Sequence, residues 1–284
     1  MGEISRKNFK RASELIRKHP SFFEDVKEKA LNDLLDRCET DDKYQLIDEL
    51  IGQFYLMEHD IYGLILTDLA KHIVARGFPA NETALLALAH DSRPDSSETV
   101  IRNLYIPLFN ENYPDLHQLE TRNKFGKLHE LYRAGRQHFF VVDEFLGSGK
   151  TAKIAYKDFL NETKGNATLE FIYVAGMKEG FENLKSVGAS FYCPWIMEKA
   201  ISDHYSTDEV QNKKDIMLSI ETTLAPEINQ VKLSDNSMGY GDAQAVYCMR
   251  NSNIPNSTFP VFWWYKDVLG KDISTIFFRM QNGF

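Results

Sequence analysis

Four short apolar runs, separated by segments of helical texture, restrict the fold of this chain more than any other feature. They are ALLALAH at residues 84–90, HFFVVDE at 138–144, LEFIYVA at 169–175 and ASFYC at 189–193. Runs of this length, several rich in valine, isoleucine and aromatics, suit strands covered on both faces of a mostly parallel sheet. Residues 95–109, 151–162 and 178–185 between them read as helices. Strand and helix in alternation predicts a doubly wound α/β fold, on which ligands bind at the carboxyl ends of the strands.

The flanking regions have a different texture. Residues 5–76 read as helical, most clearly over 44–74, where Leu46, Ile47, Leu50, Ile51, Phe54, Met57, Ile61, Leu64, Ile65, Leu69 and Ile73 recur at three- and four-residue spacing. Gly77 and Pro79 supply a stop. This stretch is expected to cap the core, with a partner-binding surface as the alternative. Residues 198–224 are polar and helical. After them come turn-rich segments, SMGYGDAQA (237–245) and NSNIPNSTFPVFWW (251–264), whose adjacent tryptophans, if on a strand, would lie one buried and one exposed. The expected organisation is a helical region over 1–79, an α/β core over 80–230 and an extension over 231–284 that completes the site.

Charge and composition narrow the function. With 33 basic against 41 acidic residues the net charge is -8, which argues against gripping nucleic acid through bulk charge. No apolar run approaches the roughly 18 residues of a membrane span, and the opening MGEISRKNFKRASEL lacks the apolar core of a secretory signal; a cytoplasmic protein is expected. Cys38, Cys193 and Cys248 are far apart with no CxxC spacing, so reduced thiols are expected. His59, His72, His90, His129 and His204 share no metal-ligand spacing, and no metal-ligating residues are assigned. Magnesium, if used, would be held by ligand phosphates and one or two carboxylates.

The chemistry concentrates in FFVVDEFLGSGKT, residues 139–151. Gly147 and Gly149 permit backbone angles closed to other residues and let main-chain amides approach a phosphate. The helix that follows adds its positive end, with the hydroxyls of Ser148 and Thr151 and the side chain of Lys150 beside it. Asp143 and Glu144, just upstream, are carboxylates suited to accept hydrogen bonds from the vicinal hydroxyls of a ribose. GSGKT also ends as a P-loop ends, but that motif requires a glycine five residues before the lysine's own glycine, and Glu144 stands there. A structural strand–turn–helix is the remaining alternative.

At these residues the sequence resembles the phosphoribosyltransferase family, whose motif is an apolar strand, two acids, two apolar residues and a small-residue turn ending in threonine or serine. Phe139 to Val142 match the strand, Asp143 and Glu144 the acids, Phe145 and Leu146 the apolar pair, and Gly147, Ser148, Gly149 and Thr151 the turn. Glutamate at 144 replaces the usual aspartate, and Gly147 a threonine or serine. With the helical N-terminus, the DSS beginning at Asp95 and the GYGD and NIPN tail, the chain resembles more specifically the phosphoribosyltransferase-like effectors of prokaryotic conflict systems, some encoded beside retron reverse transcriptases.

The resemblance implies an α/β, phosphoribosyltransferase-like fold: a mostly parallel sheet flanked by helices, with an N-terminal helical region and a C-terminal extension. It implies Asp143 and Glu144 as the catalytic pair and a phosphoribosyl or nucleotide ligand bound by residues 147–151. It further implies an antiphage role, with a reverse transcriptase ribonucleoprotein or another defence protein as partner. The loop carrying Asp95, Ser96 and Ser97 would hold pyrophosphate; helix capping, with Glu98 closing a capping box, explains the same residues. Lys178 is a phosphate contact or a solvated lysine, and Gly239, Tyr240, Gly241 and Asp242 either close over the ligand or form an ordinary turn. A sensor that binds the ligand without turnover is the alternative to an enzyme.

Overall fold

The computed structural model describes residues 6–89 and 96–280. The chain divides into two compact units, one formed by Met1–Glu58 with Glu198–Phe284, the other by His59–Met197. These units cut across the three consecutive segments expected from the sequence. The long helical pattern over 44–74 is in fact two helices, Asp41–Gln53 and His59–Ala75, interrupted by a strand at Tyr55–Met57. That strand forms because its backbone finds a partner: it pairs in parallel with Tyr247–Met249, and the Tyr55 N–H donates to the Val246 carbonyl at 2.9 Å. Long-range pairing outweighs the helical spacing of its side chains, so the first unit takes both ends of the chain.

The second unit is the expected α/β layer structure. Its parallel strands lie in the order Glu120–Arg122, Thr83–Ala87, His138–Leu146, Thr168–Met177, Ser190–Tyr192, and Ile196–Met197 pairs with the end of Thr168–Met177. All five residues of Thr83–Ala87 are buried, as are nine of the ten in Thr168–Met177, which is why these segments read as unbroken apolar runs. The edge strand Glu120–Arg122 carries polar residues and is partly exposed, so periodicity does not reveal it. One face packs Phe139, Val141, Phe171 and Tyr173 against Leu128, Leu131, Ala152, Ala155, Phe159, Phe181 and Leu184 from the helices Leu128–Arg133, Lys150–Thr163 and Lys178–Ser186. The helices His59–Ala75 and Ser96–Asn110 cover the opposite face.

The first unit holds helices Arg6–Lys18, Pro20–Phe23, Glu28–Asp36, Asp41–Gln53 and Thr207–Glu221 around one apolar core. Arg250 staples its two chain segments: the guanidinium donates twice to the Glu58 carboxylate at 2.8 Å, to Asp25 at 2.6 Å and to the Ser21 carbonyl at 3.0 Å. The tryptophan pair departs from expectation, because Trp263 and Trp264 are both buried. They follow the short 3-10 turn Pro260–Phe262 rather than lying on a strand, so strand alternation does not apply. Among the described residues no helix is long and apolar enough to cross a membrane.

Candidate functional site

Counted in chain order within the second unit, the main strands lie 2-1-3-4-5, so successive connections leave Thr83–Ala87 on opposite sides. The crevice outside the carboxyl ends of Thr83–Ala87 and His138–Leu146 is therefore the topological switch point, where open α/β sheets bind ligands. The acidic strand delivers residues 147–149 to that edge. Residues 90–95, including the expected capping residue Asp95, follow the other strand and lie outside the described residues. The helix beyond them starts at Ser96; Ser97 is buried, and the Glu98 carboxylate takes the Lys124 ammonium at 2.7 Å, while the expected capping box with Asp95 lies outside the described residues.

Residues 147–149 form the whole connection between the strand ending at Leu146 and the helix Lys150–Thr163. Gly149 occupies the helix N-cap in the left-handed region, at φ 77°, with no side-chain cap and no acid in the first turn. An ordinary residue would be strained there and its Cβ would lie 2.9 Å from the Gly180 carbonyl oxygen. The turn is packed on the helix Lys178–Ser186 through its carbonyls. The Gly147 oxygen faces Gly180 so closely that a Cβ there would come within 2.2 Å, and the Ser148 oxygen accepts from the Asn183 amide at 3.1 Å.

Because a trans peptide points its N–H opposite to its C=O, the N–H groups of Ser148 and Gly149 aim away from that helix. Neither finds an acceptor among the described residues. Two consecutive amides and an uncapped helix N-terminus thus face out of the packed turn, the arrangement that takes an anion. Lys150 and Thr151 are exposed beside them, Ser148 is half-buried and Gly149 is buried, so the second amide opens onto a recess rather than onto open solvent.

The two acids leave the strand on opposite sides, as alternation requires. Asp143 continues the face of Phe139 and Val141 and sits opposite Tyr173 in the neighbouring strand. Its Oδ1 accepts the Glu144 N–H at 2.7 Å. Burial, and after it the Asp143 charge, pushes the Tyr173 phenol well above its ordinary value. Glu144, 3% exposed, continues the face of Phe140 and Val142. It acts on Tyr62: burial raises that phenol's pKa, the Asn103 amide opposes the shift, and the Glu144 charge adds to it. Since the strand continues through Glu144 to Leu146, only residues 147–149 remain as loop. That leaves no room for the longer loop of a P-loop, which wraps a triphosphate.

Lys178 stands exposed at the first position of the helix Lys178–Ser186, on the same edge of the sheet as the turn. Gly239, Tyr240, Gly241 and Asp242 belong to the other unit. There they form a tight turn: Tyr240 N–H donates to the Asn256 carbonyl at 2.8 Å, and the Asp242 carboxylate accepts from Gln244 at 2.9 Å and Lys199 at 3.2 Å. Among the described residues no group of three or more histidine, cysteine, aspartate or glutamate side chains could hold a metal ion. Asn183 and Gly180 were not identified from the sequence; nothing local marks them, because their role comes from a neighbouring βα connection.

A doubly wound α/β domain with an acidic strand and an outward-facing amide turn at its switch point is the architecture of a phosphoribosyltransferase-like protein. The chain belongs to the PRTase-CE family, which it matches over residues 33–271. Among solved structures it is similar to a hypothetical protein from Neisseria gonorrhoeae with bound ppGpp, at 13% identity and TM-score 0.31, covering 56% of this chain and 93% of that one. It is also similar to a Helicobacter pylori xanthine-guanine-hypoxanthine phosphoribosyltransferase, at 13% identity and TM-score 0.31, covering 57% and 97%. No curated protein matches the chain significantly.

Proposed function

We propose that this protein binds a ribose 5-phosphate ester, either phosphoribosyl pyrophosphate or a nucleotide, and makes or breaks the bond at C1 of the ribose. The observation that carries this reading is the pair of outward amides at Ser148 and Gly149, set on an uncapped helix N-terminus at the switch point of the sheet. The 5-phosphate docks there, with Lys150 and Thr151 beside it. Asp143 and Glu144, adjacent on the strand that leads into the turn, are the acceptors for the ribose hydroxyls in this reading. In hydrolysis of a nucleotide the C1–N bond breaks, the base departs with the electron pair and gains a proton, and water supplies the new C1–O bond. An oxocarbenium-like state forms between these events, and the protein's contribution is positioning and electrostatics.

Magnesium, in this reading, is carried in on the ligand phosphates with one or two carboxylates beside them; that ion would neutralise a departing pyrophosphate. Ser96 and Lys178 complete the anion-binding edge in this reading; Ser97, fully buried, is left out of it. A cytoplasmic antiphage role, beside a reverse transcriptase or another defence protein, rests on the family resemblance and is read out by phage plating on cells carrying the gene with Asp143 intact or replaced.

The biochemical test is incubation of the purified protein with phosphoribosyl pyrophosphate and with nucleoside monophosphates, following release of pyrophosphate or free base. Consumption that is lost in Asp143→Ala and Glu144→Ala supports an enzyme. Saturable binding without consumption would make the site a sensor, and neither binding nor consumption would refute the proposal.

A further inference from the structure

We infer that Asn183 is a positioning residue for the phosphate turn: its amide holds the Ser148 carbonyl inward and thereby aims the Gly149 N–H at the ligand. This rests on the reading of residues 147–151 as the seat of a phosphate ester. The Asn183 Nδ2 donates to the Ser148 oxygen at 3.1 Å, and it is the side-chain donor that reaches either carbonyl of the turn among the described residues. The Ser148–Gly149 peptide is the soft joint of the connection, because Gly149 at φ 77° tolerates either orientation of the peptide that precedes it. If that peptide turned over, a carbonyl oxygen would replace an N–H at the anion's seat, and a favourable dipole would become a repulsive one.

The neighbouring Gly147–Ser148 peptide is fixed differently. Its oxygen is wedged against Gly180 by close approach alone, with a Cβ-free backbone opposite. Asn183 therefore supplies the directional part of the clamp and Gly180 the steric part. Asn183 lies on the helix Lys178–Ser186, one βα connection beyond the acidic strand. Recognition of the 5-phosphate is thus built jointly by two successive βα turns, of which only the first carries a visible motif. Asn183 needs no contact with the ligand to do this.

The test compares wild type, Asn183→Leu, Asn183→Asp and Phe159→Leu. The last removes buried volume under the helix Lys150–Thr163 without touching the turn. Two readouts are taken: calorimetric affinity for ribose 5-phosphate, and the backbone amide resonance of Gly149 in ligand-free protein. Both Asn183 variants are expected to bind about tenfold or more weakly, as losing one aligned donor implies, and to shift the Gly149 resonance. Phe159→Leu should melt earlier but bind as wild type.

Unchanged affinity in Asn183→Leu would overturn the inference. So would affinity losses that simply follow the losses of stability across all the variants. If wild type itself fails to bind ribose 5-phosphate, the functional reading fails. The Gly149 resonance still decides the positioning role in that case: an unshifted resonance in Asn183→Leu refutes it.

Discussion

Replacing Gly180 with alanine tests the packing of the phosphate turn, because structure and propensity give opposite signs. Gly180 is the third residue of the helix Lys178–Ser186. At an unobstructed helical position alanine stabilises by about 0.5–1 kcal/mol over glycine. Here the new Cβ would lie 2.2 Å from the Gly147 carbonyl oxygen and 3.0 Å from Leu146 Cγ. The oxygen belongs to backbone and cannot rotate away, so the turn must move by about an ångström. Overpacking of this kind costs about 1–3 kcal/mol, and the upper part of that range applies to a backbone obstacle. The net expectation is a loss of about 1–2 kcal/mol, or a melting temperature lower by roughly 3–10 °C for a unit of this size.

Gly63 is the matched control. It is also helical, in His59–Ala75, and nothing lies within 4 Å of its added Cβ. Gly63→Ala should stabilise by about 0.5–1 kcal/mol. Urea denaturation followed by circular dichroism separates the two, and titration with ribose 5-phosphate shows whether the displaced turn still binds. A Gly180→Ala protein as stable as wild type, with unchanged affinity, would refute the close approach and the outward aim of the amides derived from it.

Other consequences follow from buried groups. Tyr173 is fully buried and its hydroxyl has no hydrogen-bond partner among the described residues, so Tyr173→Phe should be neutral or stabilising by up to about 1 kcal/mol in denaturant titrations. Burial pushes the Cys193 thiol up to about 12 and the Cys38 thiol up to about 11; thiol reagents at mildly alkaline pH should label the native protein slowly and the unfolded chain fully. Glu221 is buried, which raises its pKa above 4.5 against the opposing hydrogen bonds from Ser237 and Met238. Its contribution to stability is complete below that ordinary value and is lost as pH rises through the raised folded value, so Glu221→Gln should flatten the pH dependence of urea midpoints across that window. Arg250→Ala should cost about 1–2 kcal/mol, through the lost packing of the largely buried guanidinium and its hydrogen bonds rather than through the half-exposed Glu58 and Asp25 carboxylates, again read from urea midpoints.

Much of the α/β unit was legible because its central strands are largely buried on both faces and announce themselves as apolar runs. The strands expected over 84–90, 138–144, 169–175 and 189–193 are found at Thr83–Ala87, His138–Leu146, Thr168–Met177 and Ser190–Tyr192. The strand Tyr55–Met57 was not legible, since its identity is set by pairing with residues almost two hundred positions away. The same cause hid the division into units, which joins the two ends of the chain. In the site, the glycine turn and the acids could be read from local chemistry. Their orientation could not: which side of the strand each acid leaves, and which way the turn's amides point, depend on Gly180, Asn183 and Tyr173 from the adjacent strand and helix.

Hydrogen–deuterium exchange on the intact protein, with and without saturating ribose 5-phosphate and with ribose as the unphosphorylated control, reads the phosphate seat amide by amide. Ribose 5-phosphate is expected to slow exchange at the amides of Ser148, Gly149 and the first turn of Lys150–Thr163, and ribose to leave their rates unchanged. Protection confined to other segments, or equal protection by both compounds, would rule out phosphate docking at residues 147–151.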